Sequence, residues 1–199
     1  MIVKEIFYSL QGEGFNAGRP AVFIRFAGCN LNCPFCDTDW KGGKQMNAEE
    51  IVTEAQAQAK AAFSLPELVV LTGGEPTLQV AEDLVARLHT KFKEIAIETN
   101  GTRPIPKGID FVTLSPKEDF CAKEKVVLPV ADEVKVVYDI EHNPQKWLLR
   151  VRATDYYLQP CDTGDEAKNK CIVEDCVKYI KGNPVWRLSL QTQKILQIQ

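Results

Sequence analysis

A chain of 199 residues, 45% of them hydrophobic, with 12 glycines and 11 prolines, has the composition of one globular domain able to bury a substantial core. Its 24 basic residues stand against 27 acidic ones with no Lys/Arg run, which speaks against nucleic-acid binding. The start Met1-Ile-Val-Lys-Glu-Ile-Phe lacks the order of a signal peptide, no apolar stretch approaches a membrane span, and an odd count of seven cysteines fits reduced thiols in the cytoplasm better than a secreted disulfide framework.

Apolar runs alternate with helical patterns along the chain, the signature of repeated β–α units on a parallel sheet. The first strand is expected over Ile2–Ser9 and runs into Tyr8-Ser-Leu10-Gln11-Gly12-Glu13-Gly14; the second, Ala21–Phe26, carries Arg25. A helix over Ala48–Ala62 sets Ile51, Val52, Ala55, Ala59 and Ala62 on one face. Strand Leu68–Thr72 leads to Gly73-Gly74-Glu75-Pro76 and a helix over Thr77–His89; strand Ile95–Glu98 leads to Glu98-Thr99-Asn100-Gly101. Strand Phe111–Leu114 ends in Ser115-Pro116-Lys117, and strand Glu133–Val137 precedes a short helix over Pro144–Arg150. Strand Tyr156–Gln159 ends in Gln159-Pro160-Cys161-Asp162 and is followed by a helix over Glu166–Tyr179, with Arg187–Gln199 beyond the last unit. A closed eight-fold barrel takes about 250 residues. The pattern therefore predicts an α/β fold that stops short of closure, an incomplete TIM-type barrel of about six β–α units in one domain over residues 1–199.

Between the second strand and the first helix lies Cys29-Asn-Leu-Asn-Cys33-Pro-Phe35-Cys36-Asp37-Thr38, a C-x3-C-x2-C loop. Three thiolates are one too few to saturate a [4Fe–4S] cube, so a cluster held here keeps one iron open for a ligand. Zinc would need a fourth ligand that the loop does not supply, and the two histidines, His89 and His142, are far away in sequence. Cys121, Cys161, Cys171 and Cys176 repeat no ferredoxin spacing for a second cluster.

In parallel β–α folds, sites form where strands run out at their carboxyl ends, and each exit here carries a polar cluster. Gly73-Gly74 permits a close backbone approach, and Glu75 can accept hydrogen bonds from an ammonium; the same residues also suit a tight turn before a proline-started helix. Ser115 and Lys117 can hold hydroxyl and carboxylate groups, and Asp162 with nearby backbone amides can meet an adenine edge, though both segments also read as turns.

The cysteine loop and the Gly-Gly-Glu-Pro exit resemble the radical S-adenosylmethionine (SAM) superfamily. That resemblance implies a [4Fe–4S] cluster on Cys29, Cys33 and Cys36 whose open iron chelates SAM, and an electron donor such as flavodoxin or ferredoxin that drives its cleavage to an adenosyl radical. It assigns SAM contacts to Phe35, Asp37, Gly74, Glu75, Ser115, Pro116, Lys117, Gln159, Pro160, Cys161 and Asp162. The phrase around Gln11-Gly12-Glu13-Gly14, with Arg25, Cys36-Asp37-Thr38-Asp39-Trp40, Thr72 and Arg187-Leu-Ser-Leu-Gln-Thr192, is similar to the 7-carboxy-7-deazaguanine synthase family over nearly the whole chain.

This second resemblance implies conversion of a small pterin, 6-carboxy-5,6,7,8-tetrahydropterin, to 7-carboxy-7-deazaguanine with ring contraction and loss of ammonia, on the route to queuosine. The substrate contacts it implies are Leu10, Gln11, Gly12, Arg25, Thr72 and the terminal Gln199. Arg25 would clamp the carboxylate, and Thr38 would hold Mg²⁺, which takes few protein ligands; alone, Asp37-Thr38-Asp39 reads as a solvated turn. A homodimer is implied as well. The chain departs from the family after Thr192, where Gln193 stands at a position often held by histidine. A glycyl-radical activase and a non-enzymatic iron–sulfur protein are the alternatives on sequence alone.

Overall fold

The computed structural model describes residues 1–60, 66–121 and 124–198. Strands β1 (Ile2–Leu10) and β2 (Pro20–Phe26) pair antiparallel, with Tyr8 opposite Val22, and β3 (Lys44–Gln45) adds antiparallel to the start of β1. From β2 onward the sheet is parallel: β4 (Leu68–Gly73), β5 (Glu94–Thr99), β6 (Phe111–Leu114), β7 (Glu133–Tyr138), β8 (Asp155–Pro160) and β9 (Trp186–Leu188). The order β3-β1-β2-β4-β5-β6-β7-β8-β9 makes one sheet whose two ends do not pair, an α/β fold of the incomplete TIM-type barrel kind.

The helices are α1 (Ala48–Ala59), α2 (Glu82–His89), α3 (Gln145–Arg150), α4 (Glu166–Gly182) and α5 (Thr192–Leu196). A capping box starts α1, with Asn47 accepting from Glu50 N–H and Glu50 from Asn47 N–H. Asp165 caps α4 through Lys168 N–H.

Residues 11–19 are too few for a crossover helix, so the first two strands pair antiparallel. Two expectations are corrected. The helix expected over Thr77–His89 is divided: a 3-10 turn at Pro76–Leu78 ends where Gln79 leaves the helix to accept from Ile2 N–H at 2.6 Å and donate to the Ala27 carbonyl at 2.6 Å, and α2 restarts at Glu82. The segment expected beyond the last unit opens as β9, a seventh parallel strand, anchored by buried Trp186 against Tyr156. The end of the first expected helix, at Ala61 and Ala62, lies outside the described residues.

Strand periodicity sorts the core into layers. Outward residues Val22, Ile24, Val69, Leu71, Ile95 and Ile97 pack on Ile51, Val52, Leu84 and Val85 of α1 and α2, while Leu114, Val134, Val136 and Leu158 pack on Trp147, Ile172 and Cys176 of α3 and α4. Each such buried aliphatic contributes about 1.5–3 kcal/mol. The inward series is apolar only at its lower end, where Phe7, Ala21, Phe23, Leu68, Val70 and Ala96 form a third cluster. Two residues further along each strand it turns polar: Phe23 gives way to Arg25, Val70 to Thr72, and Ala96 to Glu98, with Lys135 and Gln159 completing the rim on β7 and β8. That switch places a polar floor inside an apolar shell.

Candidate active site at the carboxyl ends of the strands

A cavity of about 600 Å³ opens over this floor. It is lined by Cys29, Cys33, Cys36, Phe35, Asp37 and Thr38 from the loop after β2, by Gly74 after β4, and by Ser115 and Lys117 after β6. Gln159, Pro160, Cys161 and Asp162 line it from β8, and Leu10, Gln11, Gly12, Arg25 and Thr72 complete it. Of the residues given a cluster, SAM, Mg²⁺ or substrate role from the sequence, Glu75, Pro116 and Gln199 are missing from this lining: the first two are buried, and Gln199 lies outside the described residues.

Backbone bonds hold the cysteine loop. Ala27 N–H donates to Ile2 C=O at 3.0 Å, Gly28 N–H to Trp40 C=O at 2.9 Å, and Glu75 N–H to Gly28 C=O at 2.9 Å. The glycine pair after β4 serves that junction. A Cβ on Gly73, where φ is +136°, would sit 2.1 Å from the Phe26 carbonyl oxygen, and one on Gly74 would sit 2.1 Å from that of Gly28. The close approach these glycines permit is thus to the cysteine loop itself.

Glu75 departs most from its sequence reading. Its carboxylate is fully buried and accepts from Thr77 N–H (3.0 Å), Thr77 Oγ1 (2.6 Å), Thr99 Oγ1 (2.8 Å) and Asn100 N–H (2.7 Å). With four donors supplied by the protein, it ties the β4 exit to the β5 exit and does not face the cavity. Asn100 then carries the tie to the cysteine loop, donating to Asn30 Oδ1 at 3.0 Å.

Sequence reasoning gave no role to a network of charges in the floor. Glu98 accepts from Gln11 Nε2 at 2.9 Å and from Thr72 Oγ1 at 3.0 Å, so one carboxylate orients two candidate substrate contacts. Lys135, 5% exposed, is hydrogen-bonded to Glu13 and lies 4.0 Å from Glu98. Burial opposes its charge, but Glu13, Glu98 and Glu133 together raise its pKa above the usual lysine value. Burial likewise pushes Glu13 up, and the Lys135 ammonium outweighs it, leaving that carboxyl below its ordinary value. Burial raises Glu133, which accepts from Phe15 N–H at 2.5 Å. Burial and the repulsion of Lys135 lower Lys117 to about 8, with Ser115 as its hydrogen-bond partner.

The C-terminal segment crosses above. Thr192 Oγ1 and N–H donate to Gly12 C=O at 2.7 and 3.2 Å, and Gln193 Nε2 to Glu13 Oε1 at 2.8 Å. Lys194 spans Asp37 at 2.5 Å and Asp162 at 2.8 Å, joining the cysteine loop to the β8 exit. Gln193 Oε1 is buried without a partner among the described residues. Between β2 and β1, Arg25 Nε donates to Glu5 Oε1 at 2.7 Å, its guanidinium resting over the Phe7 ring.

Three thiols of one loop thus meet a cavity at the strand exits, and among the described residues no three His, Cys, Asp or Glu side chains gather tightly enough to hold a single metal ion. That donor set suits a cluster that spreads its ligands, with one corner left to face the cavity. Open parallel barrel and three-cysteine loop together define a radical SAM enzyme, and the model of the Radical SAM superfamily matches residues 23–116. The chain is 46% identical to the 7-carboxy-7-deazaguanine synthase of Bacteroides thetaiotaomicron, covering 99% of this chain and 98% of that one, and 40% identical to that of Caulobacter vibrioides, covering 98% and 97%. It belongs to the 7-carboxy-7-deazaguanine synthase family. The crystal structure of QueE from Escherichia coli superposes with a TM-score of 0.74 at 25% identity, covering 95% of this chain and 92% of that one. Membership implies a [4Fe–4S] cluster and SAM.

Proposed function

We propose that this chain, acting as a single radical SAM domain, converts 6-carboxy-5,6,7,8-tetrahydropterin to 7-carboxy-7-deazaguanine with ring contraction and loss of ammonia, in queuosine biosynthesis. The observation that carries this reading is the meeting, on one cavity, of the Cys29, Cys33 and Cys36 loop with Gln11, Gly12, Arg25 and Thr72, within a chain that matches synthases end to end. The cluster and SAM supply the hydrogen-abstracting radical; the polypeptide binds, orients and excludes water.

Cys29, Cys33 and Cys36 hold the cluster. Ser115, Lys117, the backbone of Gly74, and the rim formed by Phe35, Asp37, Gln159, Pro160, Cys161 and Asp162 receive SAM, all of them lining the cavity. Arg25 takes the pterin carboxylate, its Nε held by Glu5 so that the guanidinium plane is fixed. The amino-pyrimidine edge of the pterin, rich in N–H donors, meets Leu10, Gln11, Gly12, Thr72, the Glu13 and Glu98 carboxylates and the partnerless Oε1 of Gln193. That acceptor gives Gln193 a use in substrate recognition. Thr38 together with the substrate carboxylate binds Mg²⁺, which keeps waters in its remaining positions. A small flavin or iron–sulfur carrier such as flavodoxin or ferredoxin supplies the electron. The enzyme works as a cytoplasmic homodimer, a reading supported by Ile195 and Leu196, 68% and 58% exposed beyond the edge strand β9.

The test is anaerobic reconstitution with iron, sulfide, a chemical reductant, SAM and the pterin. Expected is a product with the mass and absorbance of the deazapurine, formed with release of ammonia; SAM cleavage without that product overturns the assignment.

A further inference from the structure

Four cysteines lie outside the cluster loop. Cys161 and Cys176 are buried, and Cys171 is exposed on α4. Cys121 is different: its Sγ lies 3.6 Å from that of Cys33, a contact bridging 88 residues of chain. It is held there by the turn after β6, in which Phe120 and Cys121 N–H both donate to the Lys117 carbonyl, at 3.0 and 2.9 Å. The neighbouring Phe120 ring packs edge-on against Phe35 of the cluster loop at 4.5 Å. The two backbones are therefore pressed together independently of their sulfurs. Within its own loop Cys33 has no such partner, since Cys29 Sγ accepts from Leu31 N–H at 3.4 Å and Cys36 Sγ reaches the Thr38 carbonyl at 3.9 Å.

We propose that Cys33 and Cys121 form a reversible thiol-oxidation site whose reactant is a low-molecular-weight disulfide such as oxidised glutathione. The proposal rests on the reading of Cys33 as a cluster ligand and concerns the chain before it carries a cluster. One of the two thiolates attacks the glutathione disulfide, breaking its S–S bond, forming a mixed disulfide and releasing one glutathione. The second thiolate attacks the protein sulfur of that mixed disulfide, closing Cys33–Cys121 and releasing the second glutathione. Two protein thiols are oxidised by two electrons, and the oxidised glutathione takes up those electrons and both protons to become two thiols. From 3.6 Å the sulfurs need to approach by roughly 1.5 Å to reach bonding distance.

The consequence follows from what each state withholds. Linked to Cys121, Cys33 can neither bind iron nor climb to the sulfinic and sulfonic acids from which thiols do not return. Bound to iron, it is not open to the disulfide. Cluster loading thus becomes conditional on a thiol reductant, and an oxidative loss of the cluster leaves a recoverable protein.

The experiment treats the full-length cluster-free chain anaerobically with oxidised glutathione, alkylates the remaining thiols and maps disulfide-linked peptides by mass spectrometry. Expected is a Cys33–Cys121 link lighter by two hydrogens, reversed by dithiothreitol, after which iron uptake equals that of a chain never oxidised. In Cys121→Ser, Cys33 should instead accumulate as the glutathione adduct, while the reduced variant takes up iron like the wild type. A comparison that needs no variant applies the same treatment to cluster-loaded protein, where the link should not form. A Cys33 that pairs with Cys29 or Cys36, or that stays as a mixed adduct in the wild type, overturns the proposal. A link that forms in a chain that never takes up iron, even when reduced, overturns the cluster reading instead.

Discussion

The cavity has two sides built on opposite principles. On the cysteine-loop side the main chain is tied down, by Gly28 N–H to the Trp40 carbonyl, Glu75 N–H to the Gly28 carbonyl and Lys4 Nζ to the Lys41 carbonyl, while Cys36 and Asp37 stay exposed. On the floor the side chains saturate one another: Gln11 and Thr72 on Glu98, Lys135 on Glu13, Phe15 N–H on Glu133. The first side is a frame whose bonding capacity is kept for a bound group. The second is a field of fixed charge completed before any ligand arrives, the kind of preorganisation that costs no rearrangement during reaction. Damage to the frame should remove chemistry and spare the fold; damage to the field should harm both.

The largest effects separate the two. Cys29→Ala should take up no [4Fe–4S] cluster and show no turnover, yet the cluster-free variant should unfold at the same denaturant concentration as the cluster-free wild type. Absorbance and iron analysis check the first, and a urea titration the second. Lys135→Met should show the reverse emphasis, losing about 3–5 kcal/mol because a buried carboxylate is left without its counter-charge. The deficit should depend on pH with a definite sign. In the wild type the lowered pKa of Glu13 gives stability that is present above its ordinary 4.5 and lost as the pH falls through the folded value. Without Lys135, burial, the largest influence on Glu13, is opposed only by the hydrogen bonds from Gln193 and Gln191, so the carboxyl moves up and the variant loses less than the wild type as the pH falls toward 4.5. Urea titrations from pH 7 downward should therefore show the gap between the two proteins narrowing. A constant gap would mean that Glu13 does not depend on Lys135.

The same division explains what could be read from the sequence. The frame was legible because its chemistry is contiguous: three cysteines within eight positions need no fold to bring them together. The strand-end rule located the exits after β4, β5, β6 and β8, and it marked Glu98 without giving it a task. The field was not legible, because its partners are remote. Lys135 meets Glu13 across 122 residues and Gln193 meets Glu13 across 180. The available signal was a pair of charges alternating with valines in Glu133-Val-Lys135-Val, both on the inward face of a strand that is otherwise apolar. The burial of Glu75 was hidden in part for the same reason: two of its four donors come from nearby Thr77, but the other two, Thr99 Oγ1 and Asn100 N–H, are presented only by the folded β5 exit. The order of the helix over Thr77–His89 failed at Gln79, whose side chain bonds to β1 and the end of β2 outweigh local helical preference.

An intermediate effect probes the join between the sides. Gly12→Ala would place a methyl 1.9 Å from Gln193 Oε1 and 2.9 Å from Gln193 N, so a side-chain movement alone cannot relieve the clash. The C-terminal segment has to shift, loosening Thr192 from the Gly12 carbonyl and Gln193 from Glu13. Expected are a loss of about 1–3 kcal/mol and a rise in KM for the pterin with the KM for SAM little changed. A rise in the SAM value alone would place this segment on the wrong side of the cavity.

The smallest effect concerns Lys194, which spans Asp37 and Asp162 above the mouth. All three side chains are more than a third exposed, so solvent and salt screen the pairs, and Lys194→Ala should cost no more than about 1 kcal/mol. Its sharper signature is a titration. Lys194, with the Gly164 N–H and Asn169 assisting, holds Asp162 at about 2 against an ordinary 3.8. Removing the ammonium should move the Asp162 carboxyl part of the way back, because Gly164 N–H at 3.1 Å and Asn169 at 2.8 Å remain. Carboxyl resonances followed by NMR through the acid range measure that shift directly, and added salt should shrink the difference between variant and wild type. An Asp162 that titrates identically in both proteins would show that the bridge across the mouth is not held in solution, leaving the contacts of Gly12 and Gln191 to join the frame and the field.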